Sequence, residues 1–249
     1  MKPQIKLASA RTPDGGEMGL YQHDRDFLIK INGQELMNSR RHESEGELAR
    51  LGCAHLSRHK APHVLIGGLG MGYTLRQALD ILSPGAAVVV SELLPAVVEW
   101  NRKYLGELNA QPLEDKRTQL ITGDIFQLLS DSKDKFDAIL LDVDNGPRAI
   151  TDSGNQRLYS PAGIQALRSA LRKQGSLAVW SSEASKPFEQ LLLNYQFHVR
   201  RYRANAYQGS NSKPLFIWVA AQDETILPPG GGEPYKPGQR RTKESHRTP

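Results

Sequence analysis

The chain has 249 residues, of which 39% are hydrophobic and 24% are charged, and its formal net charge is +5. This composition is typical of a soluble protein with one large domain. No apolar run reaches the roughly 18 residues that a membrane helix needs, and the polar amino terminus lacks the apolar core of a signal peptide. We therefore expect a cytoplasmic protein without membrane association.

Residues 1–60 are predicted to form a small β-rich domain with a linking helix. The stretches "MGLYQHD" and "FLIKINGQELM" show short alternating patterns separated by polar turns, which is typical of hairpin strands. Leu48, Leu51 and Leu56 then follow acidic residues at roughly helical spacing. This pattern predicts a helix between two layers.

Residues 61–222 alternate between predicted strands and predicted helices. The strands are 63–67, 86–92, 117–122, 136–142, 175–181, 197–203 and 215–221. The helices are 73–82, 95–107, 124–131, 161–172 and 186–194. Continuous apolar strands indicate a parallel sheet buried on both faces, and the last two strands resemble an antiparallel edge hairpin. The fold class is therefore α/β, with a doubly wound, mostly parallel seven-stranded sheet.

Residues 223–249 are predicted to be a disordered basic tail. From residue 228 onward the sequence is rich in Pro, Gly and charge, with five Lys/Arg against two Asp/Glu. Such a segment buries too little apolar surface to offset its ordering entropy. Because much of the positive charge lies there, a solubilising extension is favoured over a phosphate-binding arm, and nucleic acid is not an expected partner.

A glycine-rich loop follows the first strand of the large domain in "VLIGGLGMGYTLRQALD". Gly68, Gly70 and Gly72 allow a tight turn and the close approach of a ligand to the backbone. The dinucleotide pattern GxGxxG would need glycine where Tyr73 stands, and the P-loop pattern is absent. The loop predicts a nucleoside-sized ligand, the alternative being close packing of strand and helix.

Acidic residues end the second and third strands. Glu92 lies twenty residues after Gly72, where a carboxylate can accept both ribose hydroxyls, although it could also start the next helix. Asp124 can accept a hydrogen bond from an adenine amino group or cap the following helix. Ile125, the next residue, is assigned to the same nucleoside site.

Two aspartates follow the fourth strand in "FDAILLDVDNGP". Asp142 and Asp144 form a pair of carboxylates that can hold a cationic amine, and one of them can take its proton. The alternative is an Asx-type turn into the following Asn-Gly-Pro. No metal site is predicted, because three histidines at helical spacing, residues 55, 59 and 63, lack an HExxH pattern.

Together these motifs resemble the polyamine aminopropyltransferases, the spermidine synthase family, over about residues 26 to 221. "VLIGGLGMGYTLRQAL" resembles the family's glycine motif, and "GDIF" is similar to its adenine motif. "LLDVDNGP" is similar to its aspartate-rich catalytic motif, and "RLYSPAG" to a further segment. The resemblance implies a methyltransferase-like Rossmann fold.

The resemblance also implies an activity in polyamine biosynthesis. The donor would be decarboxylated S-adenosylmethionine and the acceptor a small amine, without a metal. Glu92 would bind the ribose and Asp124 the adenine. Asp142 would be the base that activates the amine, and Asp144 would hold the amine's charge. The family analogy suggests a homodimer.

Among several departures from the family pattern, two bear on the activity. Met71 stands where the family has an aspartate that grips the donor's amine, and the helix "SEGEL" retains only Glu47 of a Tyr-His-Glu run. Both departures leave methyl transfer from S-adenosylmethionine open as an alternative activity. A second alternative is a non-enzymatic module that binds a nucleoside, or nucleic acid through the basic tail.

Overall fold

The computed structural model describes residues 3–143, 146, 155–207 and 213–232. Its first part is an antiparallel sheet whose four strands lie in chain order. They are β1 (Ile5–Arg11), β2 (Glu17–His23), β3 (Asp26–Ile31) and β4 (Gln34–Asn38). The expected hairpins are confirmed. Asn32 and Gly33, with φ angles of 49° and 81°, form the tight turn between β3 and β4.

The large sheet has seven strands in the order β10-β11-β9-β8-β5-β6-β7. Its strands are β5 (His63–Gly67), β6 (Ala87–Glu92), β7 (Thr118–Thr122), β8 (Phe136–Leu141), β9 (Leu171–Ser181), β10 (His198–Ala204) and β11 (Leu215–Ala221). Strands β5 to β9 pair in parallel, whereas β11 pairs antiparallel with both β9 and β10. The predicted fold class is confirmed.

The strand order reverses at β5. From β5 the chain first extends the sheet through β6 and β7, and then returns to the other side of β5 with β8 and β9. A crevice forms outside the carboxyl ends of the strands at such a switch point, and ligands of doubly wound proteins bind there. The sequence motifs singled out above lie at this edge of the sheet.

Six α-helices cover the sheet in the described part of the chain. They are α1 (Glu43–Gly52), α2 (Tyr73–Ile81), α3 (Pro95–Trp100), α4 (Ile125–Ser130), α5 (Pro161–Ala170) and α6 (Lys186–Asn194). The helix predicted over 95–107 is an α-helix only to Trp100. Residues 101–105 continue it as a π-helix, which has wider turns. Within these described residues no helix has the length and apolarity needed to cross a membrane.

The hydrophobic core has one layer on each face of the large sheet. Alternate residues of a strand point to opposite faces, so Val64 and Ile66 pack with α1 and α2 while Leu65 packs with α4 and α5. The first layer also includes Leu20 and Ile29 of the small sheet. The small sheet is therefore joined to the large domain by the core.

The disordered tail was expected to begin at residue 223, but residues 223–232 pack on strand β10. Leu227 is buried, and the carbonyl oxygen of Pro228 accepts hydrogen bonds from Arg200 Nη1 (2.7 Å) and Tyr202 Oη (2.6 Å). Gly232 and Arg201 exchange two backbone hydrogen bonds of 3.0 and 2.7 Å. Backbone pairing and one buried leucine thus order a Pro- and Gly-rich stretch. The remainder of the predicted tail, 233–249, lies outside the described residues.

Candidate active site

The glycine loop joins β5 to α2 and brings three strand ends together. Gly68, Gly70 and Gly72 have φ angles of 89°, 54° and 86°, in the region that side chains rarely adopt. A Cβ atom on Gly68 would overlap the carbonyl oxygen of Asp142. Gly68 N donates to Ser91 O, and Asp142 N donates to Gly67 O, each at 2.8 Å. The loop therefore needs glycine for its turn and for close packing against β8.

Glu92 is a buried carboxylate held by this loop. Its Oε2 accepts a hydrogen bond from Leu69 N and its Oε1 one from Leu94 N, both at 2.9 Å. Burial raises the pKa of Glu92, and the backbone hydrogen bonds partly oppose this shift. The backbone groups of Gly70 and Leu93 also interact with this carboxylate, so the glycine loop and the end of β6 fix its position in the cavity wall.

A first cavity of about 850 Å³ opens between the strand ends and the small sheet. Apolar side chains of the small sheet, among them Met18, Ile29 and Leu36, form one wall. The other wall brings together most of the predicted site residues. These are Gly68, Gly70, Glu92, Asp124, Ile125 and Asp142. The mixed apolar and acidic lining suits a small organic ligand.

Gly72 is a predicted ligand-binding residue that does not line this cavity. It lies at the start of α2, and a Cβ there would come within 2.9 Å of Asn109 Nδ2. Close packing at the start of α2 therefore explains Gly72 better than a ligand contact does. The second predicted aspartate, Asp144, lies outside the described residues.

Asp124 both caps α4 and lines the first cavity. Its side chain accepts a hydrogen bond from Phe126 N (2.8 Å) and pairs with Arg157 Nη2 (2.5 Å). Arg157 also lies over the Phe126 ring, 4.5 Å from its centre. Sequence reasoning missed Arg157, because the segment that carries it returns to α4 only through the tertiary fold. Any adenine amino group would share the Asp124 carboxylate with this arginine.

Asp142 directly follows β8 and lies where two cavities meet. Its Oδ2 accepts a hydrogen bond from Thr74 Oγ1 at 2.6 Å. Burial raises the pKa of Asp142, the charge of Glu92 adds to this, and the hydrogen bond from Thr74 opposes it. A carboxylate with a raised pKa is a stronger base than an exposed aspartate, so Asp142 is suited to accept a proton near neutral pH.

The second cavity, of about 1000 Å³, shares Leu36, Met37, Gly70 and Asp142 with the first. It lies beside α1 and α2, away from Glu92 and Asp124. Further lining residues include Glu35, Arg41, Glu45, Met71, Tyr73 and Trp180. The site thus has two compartments, with Asp142 and the glycine loop between them.

A model of the spermine/spermidine synthase domain matches residues 49–207, which is more than half of the chain. The chain belongs to the spermine/spermidine synthase family. A polyamine aminopropyltransferase of Saccharolobus islandicus is 37% identical over 141 residues, which are 56% of this chain and 46% of that protein. The chain therefore spans about half the length of the curated relatives that it matches.

Solved spermidine synthases share the fold at low sequence identity. The crystal structure of spermidine synthase from Thermotoga maritima is 17% identical with a TM-score of 0.72, covering 90% of this chain and 75% of that one. A spermidine synthase in complex with the transition-state analogue AdoDATO is 18% identical with a TM-score of 0.69, covering 90% and 76%. These likenesses confirm the predicted fold, and the domain match confirms the predicted family.

Helix α1 departs from what the family resemblance implied. Glu47, the residue expected to be retained, pairs with Arg50 on the same helix at 2.8 Å and lines neither cavity. Glu45, two residues earlier, lines the second cavity instead. Sequence reasoning missed Glu45, because helical periodicity alone does not tell which polar face of α1 meets the end of β8.

Met71 lies in the wall of the second cavity and is only 4% exposed. By the family resemblance, an apolar thioether thus occupies the position of the aspartate that binds the donor's amine.

Among the residues that the structure describes, no group of three or more His, Cys, Asp and Glu could hold a metal ion.

Proposed function

We propose that this chain transfers an aminopropyl group from decarboxylated S-adenosylmethionine to a small amine, as a step of polyamine biosynthesis. One observation carries the proposal: Asp142, a partly buried base, lies at the junction of the two cavities. A donor in the first cavity and an amine in the second would meet beside this carboxylate. Membership of the spermine/spermidine synthase family supports the same activity.

The first cavity supports a nucleoside in three ways. The Glu92 carboxylate lies in the wall of the cavity, where it can meet the ribose hydroxyls, and Asp124 can accept a hydrogen bond from the adenine amino group. Ile125 and the apolar wall of the small sheet can enclose the base and the sulfur-bearing carbons. The loop at Gly68 and Gly70 keeps the wall free of side chains, so that a ligand can approach the backbone.

The proposed reaction begins with a proton transfer. Asp142 takes a proton from the acceptor ammonium, which frees the nitrogen lone pair. The nitrogen then attacks the aminopropyl carbon that is bonded to the sulfonium sulfur. A C–N bond forms, and the bond between this carbon and sulfur breaks, with its electron pair passing to sulfur. The products are an aminopropylated amine and methylthioadenosine, and one proton is released to water.

The experiment is a turnover assay with decarboxylated S-adenosylmethionine and 1,4-diaminobutane, in which released methylthioadenosine is separated by chromatography. We expect release to depend on the amine, and Asp142→Asn to lower kcat by about 100-fold or more, because the amide cannot act as a base. Full activity of Asp142→Asn, at unchanged folding, would contradict the assigned base.

Methyl transfer from S-adenosylmethionine is the second candidate, and Met71 favours it. Without an acid at this position the pocket lacks the carboxylate that holds the donor's amine in the family pattern. Calorimetry with both donors compares the two candidates. Tighter binding of S-adenosylmethionine than of its decarboxylated form would favour methyl transfer.

A cytoplasmic location and a homodimer remain predictions from the sequence.

A further inference from the structure

We propose that Glu45 is the second carboxyl of the acceptor compartment, where it holds the cationic amine together with Asp142. This inference rests on the proposed function and names a residue that neither the sequence motifs nor the family resemblance assigns. It deepens the account of the second cavity, for which Asp144 had been the expected cation-binding residue.

Glu45 reaches Asp142 through the packing of two helices. Glu45 lies in the first turn of α1, whereas Thr74 lies in the first turn of α2. Thr74 Oγ1 donates to Asp142 Oδ2 at 2.6 Å and lies 3.5 Å from the carbonyl oxygen of Glu45. Both residues line the second cavity. The buried threonine therefore fixes the two acidic residues in one small region.

The two carboxyl groups also affect each other's ionisation. Burial raises the pKa of Glu45, the charge of Asp142 raises it further, and a hydrogen bond from Ser44 Oγ opposes the shift. Burial raises the pKa of Asp142 as well. Two partly desolvated acids that repel each other retain one proton to a higher pH than either would alone. The pair then carries one negative charge near neutral pH.

The charged groups around the pair leave the compartment anionic. Glu43 on α1 and Glu92 beyond Asp142 add negative charge. Arg41 is the one basic residue among the described residues that line the second cavity, and it lies 3.8 Å from Glu35, another lining residue. Tyr73 is neutral, because burial raises its pKa. A compartment with this balance favours a cation over an anion.

Met71 increases the importance of Glu45. An apolar residue at position 71 contributes no charge to the second cavity. Among the described residues that line it, the carboxyl groups are those of Glu45, Asp142 and Glu35, and Glu35 is paired with Arg41. During the reaction the ammonium proton passes to the pair, which becomes neutral. The free amine then attacks the donor, and the pair later releases its proton to water.

The test compares Glu45→Gln, Glu45→Asp and the control Glu47→Gln, a change on the same helix outside both cavities. Calorimetry measures the Kd of 1,4-diaminobutane in the presence of methylthioadenosine across the neutral pH range. At the upper end of this pH range, where wild-type Glu45 is ionised, we expect Glu45→Gln to weaken amine binding about tenfold, and Glu45→Asp and Glu47→Gln to stay within about threefold of the wild type. Methylthioadenosine binding should be unchanged in all three variants, which verifies folding.

The pH dependence separates a charge effect from a structural one. In the wild type, amine binding should tighten as pH rises and Glu45 loses its proton, whereas in Glu45→Gln only the dependence due to Asp142, at lower pH, should remain. An equal amine Kd in Glu45→Gln and the wild type, with turnover intact, would overturn the inference and leave the proposed transfer standing. A wild type without turnover whose amine binding still depends on Glu45 would support the pair and contradict the transfer.

Discussion

At the scale of single residues, the hydrogen bond between Thr74 and Asp142 sets the basicity of the proposed base. Thr74 Oγ1 donates to the carboxylate form and therefore lowers the pKa of Asp142 against the effect of burial. Thr74→Val removes this donor at nearly constant volume. The pKa of Asp142 should then rise further, so the ascending limb of kcat/KM should move to higher pH. A pH profile of turnover measures this shift.

Thr118→Val is the matched control, because Thr118 Oγ1 donates to the carbonyl oxygen of Pro112, a contact outside both cavities. Its ascending limb should coincide with that of the wild type. A limb in Thr74→Val that stays in place, or moves to lower pH, would show that Asp142 is not the group that titrates in turnover.

The acids at strand ends could be predicted from sequence, and two other site residues could not. Glu92 ends a strand, Asp124 and Asp142 come just after strands, and the carboxyl ends of parallel strands meet at one edge of a sheet. Glu45 and Arg157 lie on segments whose position depends on packing between distant parts of the chain. No local spacing identifies them, because side-chain direction on a helix or turn depends on what that element packs against.

At the scale of elements, the turn from β5 to α2 depends on glycine at position 68. An alanine there would have to adopt a φ of about 89°, and its Cβ would overlap the carbonyl oxygen of Asp142. Positive φ at a residue other than glycine costs about 1–3 kcal/mol, and the overlap adds to this. We therefore expect Gly68→Ala to lower the free energy of unfolding by at least about 2 kcal/mol. Urea denaturation measures the loss.

Gly123→Ala is the control within the same edge of the sheet. A Cβ atom at Gly123 would meet no heavy atom within 4 Å, and this glycine is not among those with positive φ. Its free energy of unfolding should change by less than about 1 kcal/mol. Equal stability losses in the two variants would contradict the assigned role of the Gly68 turn.

Helix α1 shows why the existence of an element is easier to predict than its placement. The leucine spacing predicted the helix, but its approach to the sheet depends on Gly52, where a Cβ would overlap the side chain of Leu140. Ser176 Oγ also donates to the carbonyl oxygen of Gly52 at 2.6 Å. These two contacts hold α1 against β8 and β9. They thereby bring Glu45 near Asp142, and neither contact is visible as a pattern in the sequence.

At the scale of the whole molecule, two sheets enclose one site. The large sheet supplies the acids and the glycine loop, and the small sheet closes the first cavity with apolar side chains. The fold could be predicted because apolar runs, turns and helix periodicity are local features. The packing of residues 223–232 on β10 could not, because it depends on hydrogen bonds from Arg200, Arg201 and Tyr202 on a distant strand.

The most direct test of the account offers both donors at once. The protein is incubated with equal concentrations of S-adenosylmethionine and its decarboxylated form together with 1,4-diaminobutane. Mass spectrometry then measures the mass of the product amine. We predict an amine heavier by one aminopropyl group, with no methylated amine, and no product from Asp142→Asn. A methylated amine in place of the aminopropylated one would contradict the proposed activity.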